Sequence, residues 1–74
     1  MKNKIDIEEN LGLVHLCCQR FRGKTAEYDE LFQCGCIGLI KAAKNFDSSR
    51  NIKFSTYAVP VILGEIRAFF RDNN

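Results

Sequence analysis

Lys53-Phe54-Ser55-Thr56-Tyr57-Ala58-Val59-Pro60 sets a cation, two aromatic rings and two hydroxyls together at the start of the last apolar periodicity in the chain. A serine or threonine in front of a helix accepts from the unpaired N–H groups of its first turn. Ser55 or Thr56 is therefore expected to cap a helix running from about Ser55 to Arg71. Ala58, Ile62, Ile66 and Phe69 recur at helical spacing, with Val59, Leu63 and Phe70 widening the stripe. Pro60 falls in the early interior, where the loss of a backbone donor predicts a kink. Phe54 and Tyr57 are three apart and share one side of the first turn. Two readings of that pair stay open. The rings are packed under the helix, or, with Lys53 and Arg50 beside them, they form a platform for unstacked bases whose phosphates the cations hold.

Upstream, Asp47-Ser48-Ser49-Arg50-Asn51 is a turn cluster, and Ile52 resumes the apolar pattern. Before it, a second helix is expected from about Asp29 to Asn45, with Asp29 and Glu30 at the end where the helix dipole favours anions. Leu31, Phe32, Cys36, Leu39, Ile40, Ala43 and Phe46 give it an apolar face wide enough for packing on two sides. Gly35 and Gly38 are poor helix formers, so they predict close approach by another helix. The opposite edge, Glu30, Gln33, Lys41 and Lys44, is either a solvated face or a docking surface for a partner protein.

A first helix is expected from about Ile7 to Phe21, on the stripe Ile7, Leu11, Val14, Cys18 and Phe21, with Asp6 as its cap. Gly12 weakens it, and Arg20, Arg22, Gly23 and Lys24 end it. No stretch alternates with period two. The expected fold is all-α, a compact bundle of three main helices, the third kinked near Pro60, forming a single domain over residues 1–74.

Seventy-four residues bury only about 60% of their unfolded surface, so the core must be small. The net charge of +2 is divided unevenly. Residues 1–40 carry five cations against six carboxylates, and residues 41–74 carry six against three, so a polyanion is expected on the second half. No apolar run is long enough to span a membrane. The basic start is interrupted by Asp6, Glu8 and Glu9, unlike a signal peptide.

The four cysteines allow disulfides, zinc or reduced thiols. Cys17 and Cys18 are neighbours on one helix, and Cys34 and Cys36 point to nearly opposite sides of another, so the four do not converge on a metal. Reduced thiols in a reducing cytosol are expected, with no metal and no cofactor. The lone His15 has no nucleophile near it in sequence, and the carboxylates sit at helix starts where capping accounts for them. Binding is expected here, and no enzymatic activity. Two surfaces offer it: the polar edge of the second helix, and the elbow from Arg50 to Tyr57 continued by Arg67 and Arg71, which share a face at i, i+4.

The string DELFQCGCIGLIKAAKNFDSSRNIKFSTYAVPVILGEIRAFFRD, residues 29–72, resembles the second conserved region of bacterial primary-type sigma factors. Its FSTYAVP…GEIR form is most similar to the sporulation and general-stress groups, and the resemblance covers about Asn10 to Asp72. It implies a transcription-initiation domain. Its second helix would bind the clamp helices of the largest subunit of the RNA polymerase core, through Asp29, Glu30, Leu31, Gln33 and Gly35. Its elbow would recognise and melt the minus-ten promoter element through Lys53, Phe54, Ser55, Thr56 and Tyr57. An aromatic at the Tyr57 position stacks on a flipped base of the non-template strand in relatives. Gly64, Arg67 and Arg71 would face the duplex, and an anti-sigma factor is a further partner of the family. The alternative is a helical protein-interaction domain that binds polymerase or an anti-sigma factor without touching DNA. Four positions depart from the family pattern. A Trp pair of primary sigma factors is replaced by Pro60 and Val61, Ile52 stands where an aromatic is common, and Cys34 follows Gln33. The family's later domains are not expected within these residues.

Overall fold

In the computed structural model, which describes residues 5–21, 23 and 26–72, a 3-10 turn at Glu8–Asn10 leads into three helices. These are α1 (Leu11–Gln19), α2 (Tyr28–Asn45) and α3 (Phe54–Asp72), with no strand among the described residues. The all-α, three-helix expectation holds. Lys2, Lys4, Arg22, Lys24, Asn73 and Asn74 lie outside the described residues.

Asp6 caps as its sequence position suggests. Its Oδ1 accepts from the N–H groups of Glu8 (2.9 Å) and Glu9 (3.3 Å). The turn it opens is 3-10, however, and its last residue, Asn10 (φ −104°, ψ 8°), breaks the helical geometry before α1, so the helix starts four residues later than the stripe suggested. The far end also tightens: the N–H groups of Arg20 and Phe21 reach the Cys17 and Cys18 carbonyls at 3.1 and 3.0 Å. Gly23, at φ +87°, turns the chain where an L-residue would be strained. α2 opens on a reciprocal cap. Glu27 and Glu30 each accept from the other's backbone, with Glu27 N–H to Glu30 Oε1 at 3.3 Å.

The core joins Val14, Cys17 and Cys18 of α1 to Leu31, Leu39 and Ala42 of α2 and to Ala58, Ile62, Leu63 and Ile66 of α3. α2 lies against both other helices, and its glycines allow this. A Cβ on Gly38 would stand 2.7 Å from Ile62 Cα and 3.1 Å from the Val61 carbonyl oxygen. One on Gly35 would stand 2.6 Å from Val14 Cγ1. The approach predicted from these glycines is therefore present, α1 meeting Gly35 and α3 meeting Gly38. α2 and α3 run in opposite senses, Gly35 facing Ile66 and Phe46 facing Phe54.

Two sequence expectations are corrected here. Ile40 lies outside the core, 48% exposed, because the close α2–α3 contact through Gly38 turns that side of the helix to water. Ser55 and Thr56 do not precede α3 but lie within its first turn. The Lys53 carbonyl accepts from the N–H groups of Thr56 (3.1 Å) and Tyr57 (3.3 Å), so Phe54 is already helical. The Phe54 ring meets the Phe46 ring edge-on at 5.3 Å, a packing gain that favours starting the helix there.

Candidate functional site

α2 and α3 carry every predicted site residue except Arg50 and Lys53, which sit in the turn between them. That turn is organised by Asp47. Its Oδ1 accepts from the Ser49 hydroxyl (2.7 Å) and the Ser49 N–H (3.0 Å), which hold its carboxyl below the usual range, and Arg50 N–H donates to the Asp47 carbonyl at 3.0 Å. Asn51, Ile52 and Lys53 follow, all exposed, so the turn delivers two cations to the mouth of α3.

The aromatic pair is packed only in part. Phe54 and Tyr57 are each half-buried and both rest on Phe46, at 5.3 Å and 82° and at 5.6 Å and 44°. Each ring therefore has a packed side and a wet side. From Lys53, helical phase brings Thr56, Pro60, Gly64, Arg67 and Arg71 onto one row, and all six residues are exposed. The row is about 27 Å long at 1.5 Å per residue. No position of the row is a carboxylate, though Asp72 beside it lies 3.8 Å from Arg71 Nε, and nothing stands within 4 Å of a Cβ added at Gly64, so a backbone or groove can come close there. Ser55 is half-buried off the row.

The second surface divides. Asp29, Glu30 and Gln33 are exposed on the first turns of α2, but Leu31 is 4% exposed and Gly35 is buried against Val14 and Ile62. Those two act on the surface only by fixing the helix beneath it. Sequence reasoning passed over Ile37, which is 48% exposed and lies on one side with Gln33, Ile40, Lys41 and Lys44. The signal was available: an apolar face wider than a helix can bury leaves aliphatic residues on its rim. Lys41 Nζ reaches Glu65 Oε2 of α3 at 2.6 Å, which neutralises that cation and ties the two surfaces together.

Comparison with known proteins gives the family. Sigma-70 region 2 matches residues 7–74. The chain belongs to the sigma-70 region 2 family. It is 60% identical over 68 residues to an RNA polymerase sigma-G factor of Clostridium acetobutylicum, which covers 92% of this chain and 26% of that protein. The Bacillus subtilis sigma-G factor is 57% identical over the same shares. The Bacillus licheniformis sigma-F factor is 54% identical over 67 residues, 90% of this chain and 26% of its own length. This region 2 chain thus spans about a quarter of the length of these relatives.

The cysteines of this region 2 domain are free thiols. Burial, and then the neighbouring thiols Cys17, Cys36 and Cys34, push Cys18 up to about 11. Burial, and then Glu65 and Glu30, raise Cys34, so it stays a protonated thiol beside the polar edge of α2. Among the described residues no group of three His, Cys, Asp or Glu side chains is arranged to hold a metal ion, and no helix is long and apolar enough to cross a membrane. His15 is exposed and joins α1 to α2, its Nδ1 2.7 Å from Tyr28 Oη.

Proposed function

We propose that this domain works in transcription initiation, binding the RNA polymerase core through α2 and the minus-ten promoter element through the elbow and α3. The observation that carries the reading is the acid-free row from Lys53 to Arg71, which starts beside two half-buried, half-exposed rings. Rings that expose one side suit stacking on unpaired bases, and a cationic row suits the phosphates that flank them. Tyr57 is the residue proposed to hold a base of the non-template strand, with Phe54, Lys53, Ser55, Thr56 and Arg50 around it. Gly64, Arg67 and Arg71 meet the adjoining duplex. On α2, Asp29, Glu30 and Gln33 contact the clamp helices of the largest polymerase subunit, with Ile37 and Ile40 as their apolar centre, while Leu31 and Gly35 hold the helix in place. The work is binding, carried out in the cytoplasm, in an alternative sigma factor of the sporulation or general-stress type.

The half-burial of Phe54 and Tyr57 favours one second reading, a protein-interaction domain that engages polymerase or an anti-sigma factor and leaves DNA alone. Titration of the chain with a single-stranded non-template oligonucleotide separates the two. The first reading expects Tyr57→Ala to weaken binding by about tenfold, and Arg67→Ala to weaken binding only of an oligonucleotide that also carries the adjoining duplex. The second expects no strand preference to lose. Binding to a fragment carrying the clamp helices, with Glu30→Ala and Gln33→Ala, tests the docking edge.

A further inference from the structure

Phe46 closes α2, with φ −70° and ψ 132°, and the chain leaves the helix there. Its position continues the buried line of Leu39 and Ala42, and its own side chain is only 8% exposed. It is also the one described ring shown against both aromatic residues of the elbow, edge-on to Phe54 and tilted against Tyr57. Neither of those two residues is buried. A ring that must offer a face to a base needs a support that stops it from sinking into the core, and a flat neighbour at 5–6 Å supplies one.

From this we infer that Phe46 is the positioning residue of the base-stacking platform. It touches no nucleic acid. It holds the Tyr57 ring, and secondarily Phe54, at the height where a base can stack, and it does so from the end of the helix whose outer edge is the proposed docking surface. This rests on the reading that the elbow stacks on bases. Without the Phe46 ring, Tyr57 and Phe54 settle into the vacated volume, and the stacking face is lost while the cationic row on α3 is untouched.

The test titrates the complete chain with two single-stranded oligonucleotides. One carries 2-aminopurine, whose fluorescence is quenched by stacking, and the other is abasic and offers phosphates alone. Phe46→Leu, which fills the space without a ring, is expected to lower affinity for the base-carrying strand about fivefold and to reduce quenching, with the abasic strand bound as before. Phe46→Tyr restores both, and in a Tyr57→Ala background Phe46→Leu adds nothing. Thermal melting of each variant identifies any that is unfolded, and Phe46→Met then replaces Phe46→Leu. The inference is overturned if the ring-free variant leaves quenching intact, weakens both strands equally, or loses as much affinity without Tyr57 as with it. Failure of the underlying reading looks different: the unsubstituted chain itself then binds the base-carrying and abasic strands alike.

Discussion

The two long sides of α2 obey opposite rules. Its inner side has no room for a methyl group at Gly35 or Gly38, each of which faces a wall under 3 Å from where a Cβ would stand. Its outer side carries Ile37 and Ile40 into water beside Gln33, Lys41 and Lys44. The inner side is a joint, where backbone proximity to α1 and α3 fixes the bundle. The outer side is exposed apolar area with a polar rim. The two sides are not independent, because the close contact at Gly38 is what rotates Ile40 outward.

The strongest way to break the contrast is to add volume to the joint. Gly38→Ala meets backbone atoms of Ile62 and Val61, which no rotamer change relieves. Urea denaturation should show a loss of about 2 kcal/mol, net of the gain in helix propensity. Gly35→Ala meets only side-chain atoms, Val14 Cγ1 nearest, with Ile62 and Ile66 in ordinary contact, and should cost less. The same substitution at Gly12, which has open space around it, should instead stabilise the chain by about 1 kcal/mol in the same assay. A Gly12 variant as damaging as the Gly38 one would show that helix propensity, and not close approach, governs these glycines.

On the outer side, Ile37→Ser and Ile40→Ser should change unfolding stability by no more than about 0.5 kcal/mol while weakening capture by a clamp-helix fragment. A large stability loss would mean that this side packs on something within the chain. Glu65→Gln removes the partner of an exposed lysine, so its effect on stability should stay below about 1 kcal/mol.

A separate effect concerns pH. The Cys18 thiol titrates higher when folded, at about 11, than its ordinary value of 9.0. The folded chain then binds more protons, so the contribution of Cys18 is complete below pH 9 and fades as pH rises toward 11. Chemical denaturation across that window should show the decline, and Cys18→Ala should flatten it.

Much of this was readable in the residues. The period of 3.6 gave α2 to within one residue of its start, and the glycine pair announced a close approach. Of the stripe Ala58, Ile62, Ile66 and Phe69, the first three are fully buried and Phe69 is half-buried, and Asp6 accepts the N–H groups expected of it. Periodicity failed where two forces competed. Asn10 divided the first helix into a 3-10 turn and a shorter α segment, and ring packing on Phe46 moved the start of α3 ahead of its Ser and Thr caps. Within the docking set, Leu31 and Gly35 belonged to a familiar string whose members do not all face one way.

Local chemistry by itself determined the helices, the turn at Asp47 and the basic second half, because propensity, capping and charge act over a few residues. The tertiary structure alone decided which atoms of α2 face water and that Phe46 lies beneath both elbow rings. It also decided that Lys41 is held by Glu65, 24 residues away. Those outcomes depend on how closely three helices approach one another, and that distance is set by the packing of all three together.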